Sequence, residues 1–178
     1  MNIFYRGKLI LLSILRCLFH IYYRYILKFK PGPGSGRMAK SCGATQPGAD
    51  RFSYPFEQHK NTLALVLVSG VQYLSGTVFD IARIVGAAHK HGITVGVDLA
   101  HAVGNIPLQL HDWDVDFACW CHYKYVNAGP GAVAGAFVHE RYHSDTSLPR
   151  FTGWWGQNKS VRFHMENAFD PIPTAEGW

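Results

Sequence analysis

Leu63-Ala64-Leu65-Val66-Leu67-Val68 runs straight into Ser69-Gly70, and the reading of this stretch decides the fold. Six apolar residues in a row, closed by a turn signal, form the pattern of a strand buried on both faces. Further along, Asp80 is placed to N-cap a helix running to about His91. Ile81, Ile84, Val85 and Ala88 share one stripe of that helix, and Gly92 is its C-terminal stop. Ile93–Val97 reads as a second strand ending at Asp98, Val115–Cys121 as a third and Ala132–His139 as a fourth. Strand, helix and strand with buried strands make a βαβ unit with parallel pairing, so the expected class is α/β.

Composition supports a globular body. Of the 178 residues, 48% are hydrophobic and 16% charged, which argues against global disorder. The net charge of +5 is unevenly spread. Eight Lys or Arg precede Asp50, the first acidic residue, and from there nine Lys or Arg stand against twelve Asp or Glu, a balance of −3. The basic character therefore belongs to the N-terminal segment, and the body gives no reason to expect nucleic-acid binding.

Three regions follow from this division: 1–30, 31–60 and 61–178. The first is apolar and basic. Its run from Leu9 to Leu27 approaches the length of a bilayer span. Arg16, His20, Arg24 and Lys28 recur every four residues and so share one helical face. The arginines cost about 5–7 kcal/mol at a bilayer centre, which the apolar residues only roughly offset. An interfacial amphipathic helix or a presequence fits this better than a span, with an ill-ordered extension as the plain alternative. Residues 31–60 read as a linker, opened by Pro31-Gly32-Pro33-Gly34-Ser35-Gly36.

In open parallel sheets, ligands collect beyond the C-terminal ends of the strands. Ser69, Asp98 and Lys124 fall there. Singly each has an ordinary explanation as turn residue, cap or solvated cation. Together, a carboxylate and an amine at neighbouring strand ends suggest a cleft in which each tunes the other. Cys119 and Cys121 lie too close along one strand to close an ordinary disulfide, and no second ligand pair is spaced for a metal. Reduced thiols and a cytoplasmic setting are expected, with a mitochondrial or membrane-associated location through residues 1–30 as the alternative.

The stretches Ser69-Gly70-Val71, Val97-Asp98-Leu99-Ala100-His101-Ala102-Val103-Gly104-Asn105, His111-Asp112-Trp113, Val115 to Cys121 and Tyr123-Lys124-Tyr125 resemble the central block of the kynureninase family. The likeness continues through Asn127-Ala128-Gly129, Ala134 to Phe137, Gly153-Trp154 and Arg162-Phe163, covering about residues 61–178. It implies part of the large domain of a pyridoxal-phosphate fold type I enzyme of the aminotransferase class V kind, mostly parallel with flanking helices and without the small domain. By position, Lys124 matches the lysine that attaches pyridoxal phosphate, and Asp98 the carboxylate that pairs with its pyridine nitrogen. His101 matches a residue beside the cofactor ring. Tyr123 and Trp154 match donors to its phosphate, and Ser69 another cofactor contact. The implied reaction is hydrolysis of L-kynurenine or 3-hydroxykynurenine to anthranilate or 3-hydroxyanthranilate and L-alanine, in tryptophan catabolism and NAD biosynthesis, by a homodimer. A cysteine desulfurase is the lesser alternative, and the Trp-Cys-x-Tyr-Lys-Tyr context of Lys124 argues against it.

The chain also departs from that family. Its members are much longer, and neither the preceding part that grips the phosphate nor the Ser-Asn-Pro-Pro segment has a counterpart here. His122 stands where a small hydroxyl residue is expected. Two expectations result: an incomplete copy of a kynureninase, or a catalytically inactive short homologue that pairs with another subunit. Either way, the chain alone is expected not to turn over kynurenine at a useful rate.

Overall fold

Five strands assemble into one sheet in sequence order: β1 (Ile26–Phe29), β2 (Leu63–Ser69), β3 (Thr94–Asp98), β4 (Phe117–Trp120) and β5 (Gly135–Val138). The computed structural model describes residues 26–29, 53–150 and 152–178, with residues 26–29 and 53–55 as backbone alone. The expected parallel pairing holds for β2 with β3 and β3 with β4, but β1 and β5 both pair antiparallel to their neighbours. The sheet is therefore mixed, parallel only at its centre. Among the described residues two α-helices accompany it, α1 (Ser53–His59) and α2 (Ile81–His89).

The buried runs behave as their composition dictates. Val95, Val97, Ile84, Val85, Ile93, Leu99 and Val115 are all essentially inaccessible. Each such side chain contributes about 1.5–3 kcal/mol relative to exposure. α2 presents Ile81, Ile84, Val85, Ala87 and Ala88 to this core, the stripe expected from the sequence with Ala87 added. Asp80 caps it by accepting the Arg83 backbone N–H at 3.0 Å. Gly92, at φ +64°, lets the chain turn from α2 into β3.

Two strands are shorter than the sequence suggests. β4 begins at Phe117 rather than Val115, because the Asp116 carboxylate takes the Val95 N–H at 2.6 Å in place of a ladder carbonyl. β5 covers Gly135–Val138 rather than Ala132–His139, since four-residue β4 offers it only four partners. α1 falls inside the stretch read as linker and brings Phe56 into the core. Ile26–Phe29, the end of the segment expected as a helix, is a strand. The rest of that segment lies outside the described residues, and among the described residues no helix is long and apolar enough to cross a membrane.

Asp116 is also the centre of a polar knot at the N-terminal ends of β3 and β4. Only 3% exposed, its carboxylate accepts Arg141 Nη2 at 2.6 Å and the Tyr142 hydroxyl, and lies 2.8 Å from His89 Nε2. Burial and the Asp116 charge together push the Tyr142 phenol up to about 12. The knot ties the last turn of α2, the start of β3, the start of β4 and the 3-10 turn Glu140–Tyr142 into one unit. It fixes the sheet from the end opposite Asp98.

Candidate active site

Register places the first two candidates. In the parallel ladder Ser69 stands opposite Asp98, and Asp98 opposite Cys119, so the C-terminal ends of β2, β3 and β4 lie level. Asp98 Oδ1 accepts the Ala100 N–H at 2.9 Å, which turns the chain sharply after β3 and returns His101 towards the strand end. Ser69, Asp98 and His101 are all half-buried.

Lys124 arrives on the connection from β4 to β5. Within it the Ala128 N–H bonds the His122 carbonyl and the Asn127 N–H bonds the Lys124 carbonyl, both at 3.0 Å. Asn127 takes the left-handed conformation at φ 59°, which Asn tolerates better than most residues. The closed turn projects Lys124 Nζ to 3.0 Å from His101 Nε2. The Tyr73 and Tyr125 rings flank the imidazole, with centroids 6.3 and 6.0 Å away.

Gly104 locks the two loops together. It sits at φ +77°, and a Cβ there would lie 2.5 Å from the Tyr125 carbonyl oxygen. Only glycine permits that approach of the 99–106 turn to the Lys124 loop. Burial lowers the pKa of His101, the Lys124 charge lowers it further, and Asp98 opposes both. Tyr123, 45% exposed, has its phenol raised by partial burial and by Cys121.

The sequence candidates are thus brought together in part. Ser69, Asp98, His101 and Lys124 gather at one end of the parallel strands, with Tyr123 beside Lys124, whose Nζ lies 5.7 Å from the phenol ring centroid. Trp154 belongs to another neighbourhood. Its indole N–H donates to the Arg162 carbonyl at 2.6 Å, and its ring packs on Trp155 and Phe163. Gly104, Tyr125 and Tyr73 neighbour these candidates and were not singled out as such by sequence reasoning. The first two lie inside the quoted stretches, whereas Tyr73 carries no sequence signal. Cys119 is buried and Cys121 half-buried, both as thiols. Among the described residues no group of three or more His, Cys, Asp or Glu is placed to hold a metal ion.

A sheet parallel at its centre, with Asp98 and Lys124 at its C-terminal edge, has its counterpart in a known class. The aminotransferase class-V family matches residues 52–153, and the chain belongs to that family. A structural likeness supports the fold alone. The apo structure of cysteine desulfurase from Thermococcus onnurineus superposes with a TM-score of 0.52 at 18% identity, over 73% of this chain and 32% of that one.

Within the class, the chain is similar to kynureninases. It is 63% identical over 116 residues to the kynureninase of Flavobacterium psychrophilum, covering 65% of this chain and 27% of that protein. The kynureninase of Nematostella vectensis is 57% identical over 122 residues, covering 68% and 26%. The chain spans little more than a quarter of the length of these relatives. The resemblance read from the quoted stretches is thereby borne out.

Proposed function

We propose that this chain carries the lysine side of a kynureninase site, built to hold pyridoxal 5′-phosphate and to act on L-kynurenine or 3-hydroxykynurenine. The observation that carries the reading is the convergence of Asp98, His101 and Lys124 at the C-terminal ends of parallel strands, with Nζ 3.0 Å from the imidazole. The donor set fits the cofactor. A carboxylate suits a protonated pyridine nitrogen, an imidazole suits the ring or its phenolic oxygen, and a primary amine suits the aldehyde carbon.

When bound, the cofactor supplies an electron sink for negative charge developing on the substrate. Asp98 would hold a proton on the ring nitrogen through a charge-assisted hydrogen bond. Lys124 Nζ would anchor the cofactor aldehyde, and as a free amine it would be the group placed to move the substrate Cα proton. The His101 and Tyr125 rings stand beside each other next to Lys124, with centroids 6.0 Å apart. The reaction this set of residues would serve is hydrolysis of the Cβ–Cγ bond, giving L-alanine with anthranilate from L-kynurenine or 3-hydroxyanthranilate from 3-hydroxykynurenine. The 57–63% identity to kynureninases favours this reading over a cysteine desulfurase, for which the likeness is one of fold alone.

The test is to load the chain with pyridoxal 5′-phosphate and add L-kynurenine or L-cysteine separately, following the cofactor spectrum, anthranilate fluorescence and sulfur release. L-Kynurenine is expected to perturb the spectrum, whereas L-cysteine, which condenses with the cofactor aldehyde unaided, is expected to release no sulfur. Turnover is expected to fall far below the ~1–10³ s⁻¹ of ordinary enzymes, since the chain spans little more than a quarter of the length of the kynureninases it matches. Sulfur release from L-cysteine, without a response to L-kynurenine, would refute the assignment. Turnover near one per second, abolished by Lys124→Ala, would refute the partial-site reading.

A further inference from the structure

The contact between Lys124 and His101 has a direction. A lysine ammonium offers three donors and no acceptor, so the nitrogen it meets at 3.0 Å must present a lone pair. That assigns the His101 ring proton to Nδ1 and leaves Nε2 as an acceptor aimed at Nζ. The groups facing the imidazole come from each loop at this end of the sheet. Asp98 and Lys124 provide the charges, and Tyr73 and Tyr125 the neighbouring rings. Burial and the Lys124 charge favour the neutral ring despite Asp98. A neutral base therefore stands in hydrogen-bond contact with an amine that must lose a proton before it can attack a carbonyl carbon.

We propose that His101 Nε2 is the base that takes the proton of Lys124 Nζ when this amine captures its aldehyde. The inference rests on the reading above, in which Lys124 is the cofactor lysine. The Lys124 ammonium gives one proton to His101 Nε2, and the freed lone pair forms a bond to the aldehyde carbon. The carbonyl oxygen leaves as water with the two remaining nitrogen protons as a nitrogen–carbon double bond forms. His101 returns its proton to that nitrogen. No net proton or electron is exchanged with the solvent, and no oxidant or reductant is needed.

Rapid mixing of the full chain with pyridoxal 5′-phosphate, followed by absorbance across pH, tests this. His101→Gln keeps an acceptor near Nζ but cannot carry a proton. It should slow capture by about 10²-fold, the low end of general-base contributions. The wild-type rate should fall on the acid side with one titration that is missing from His101→Gln. His101→Ala should be equally slow and should recover with added imidazole, which a merely structural histidine would not do. Capture by His101→Gln within twofold of wild type, with the same pH profile, overturns the proposal, as does His101→Ala unresponsive to imidazole. Undiminished capture by Lys124→Ala would instead overturn the reading of Lys124 itself, so the two failures are distinguishable.

Discussion

Replacing Gly104 by Ala probes how the Lys124 loop is held. At φ +77° an L-residue is strained, by about 1–2 kcal/mol. The added Cβ would lie 2.5 Å from the Tyr125 carbonyl oxygen and 2.9 Å from its carbonyl carbon. Both atoms are backbone and cannot rotate away, so overpacking adds about 1–3 kcal/mol. The total is about 2–5 kcal/mol, a large share of the 5–15 kcal/mol that stabilises a typical domain. Gly129→Ala is the matched control, since Gly129 has φ +80° and nothing within 4 Å of the added Cβ. It should lose only the strain of about 1–2 kcal/mol. Urea unfolding of both variants, followed by circular dichroism, measures the difference. The Gly104 variant that remains folded should also capture pyridoxal 5′-phosphate more slowly, because relieving the overlap moves Tyr125 and with it Lys124 away from His101. Equal losses in the two variants would refute the packing argument.

Two further predictions concern the rest of the sheet. Asp116→Asn removes a buried charge that holds Arg141, Tyr142 and Val95, and should cost about 3–5 kcal/mol by urea unfolding. Asp114→Asn, at a carboxylate 54% exposed, should cost no more than about 1 kcal/mol, and a similar loss at both sites would contradict the role given to Asp116. His101 and His139 both have their pKa lowered, chiefly by burial and then by the charges of Lys124 and Arg141. The unfolded chain therefore binds more protons than the folded one, so their contribution is intact above about pH 6.5, the unfolded value, and lost as pH falls towards the folded values. His111, raised by Asp112 and Glu140, acts in the opposite sense but is exposed. Stability should fall between pH 7 and 5, and replacing His101 and His139 together with Gln should flatten the fall. An unchanged slope would contradict it.

The central βαβ unit was legible in the sequence because its signals are local. Leu63–Val68 is apolar throughout, Ile81, Ile84, Val85 and Ala88 keep helical spacing, and Asp80 and Gly92 mark the ends of α2. Asp98 was legible as a candidate for the same reason, standing where a buried strand stops. The direction of β5 was not, because the fourteen residues between β4 and β5 form a loop that returns alongside β4 instead of crossing the sheet. The Asp116 knot was hidden too. Its partners Arg141 and Tyr142 lie 25 and 26 residues away, a separation that no periodicity reports. Trp154 was singled out by position alone, and its indole N–H is donated to the Arg162 carbonyl within its own segment.

The central claim is that Asp98, His101 and Lys124 form a cofactor site with Lys124 as its reactive amine, and chemical trapping tests it most directly. The chain is incubated with pyridoxal 5′-phosphate, reduced with borohydride and digested for peptide mapping. A single dominant label is expected on the peptide containing Tyr123-Lys124-Tyr125, lost in Lys124→Ala and weakened in Asp98→Ala. Labelling spread evenly over exposed lysines such as Lys60 and Lys159, with Lys124 no more reactive than they are, would contradict it.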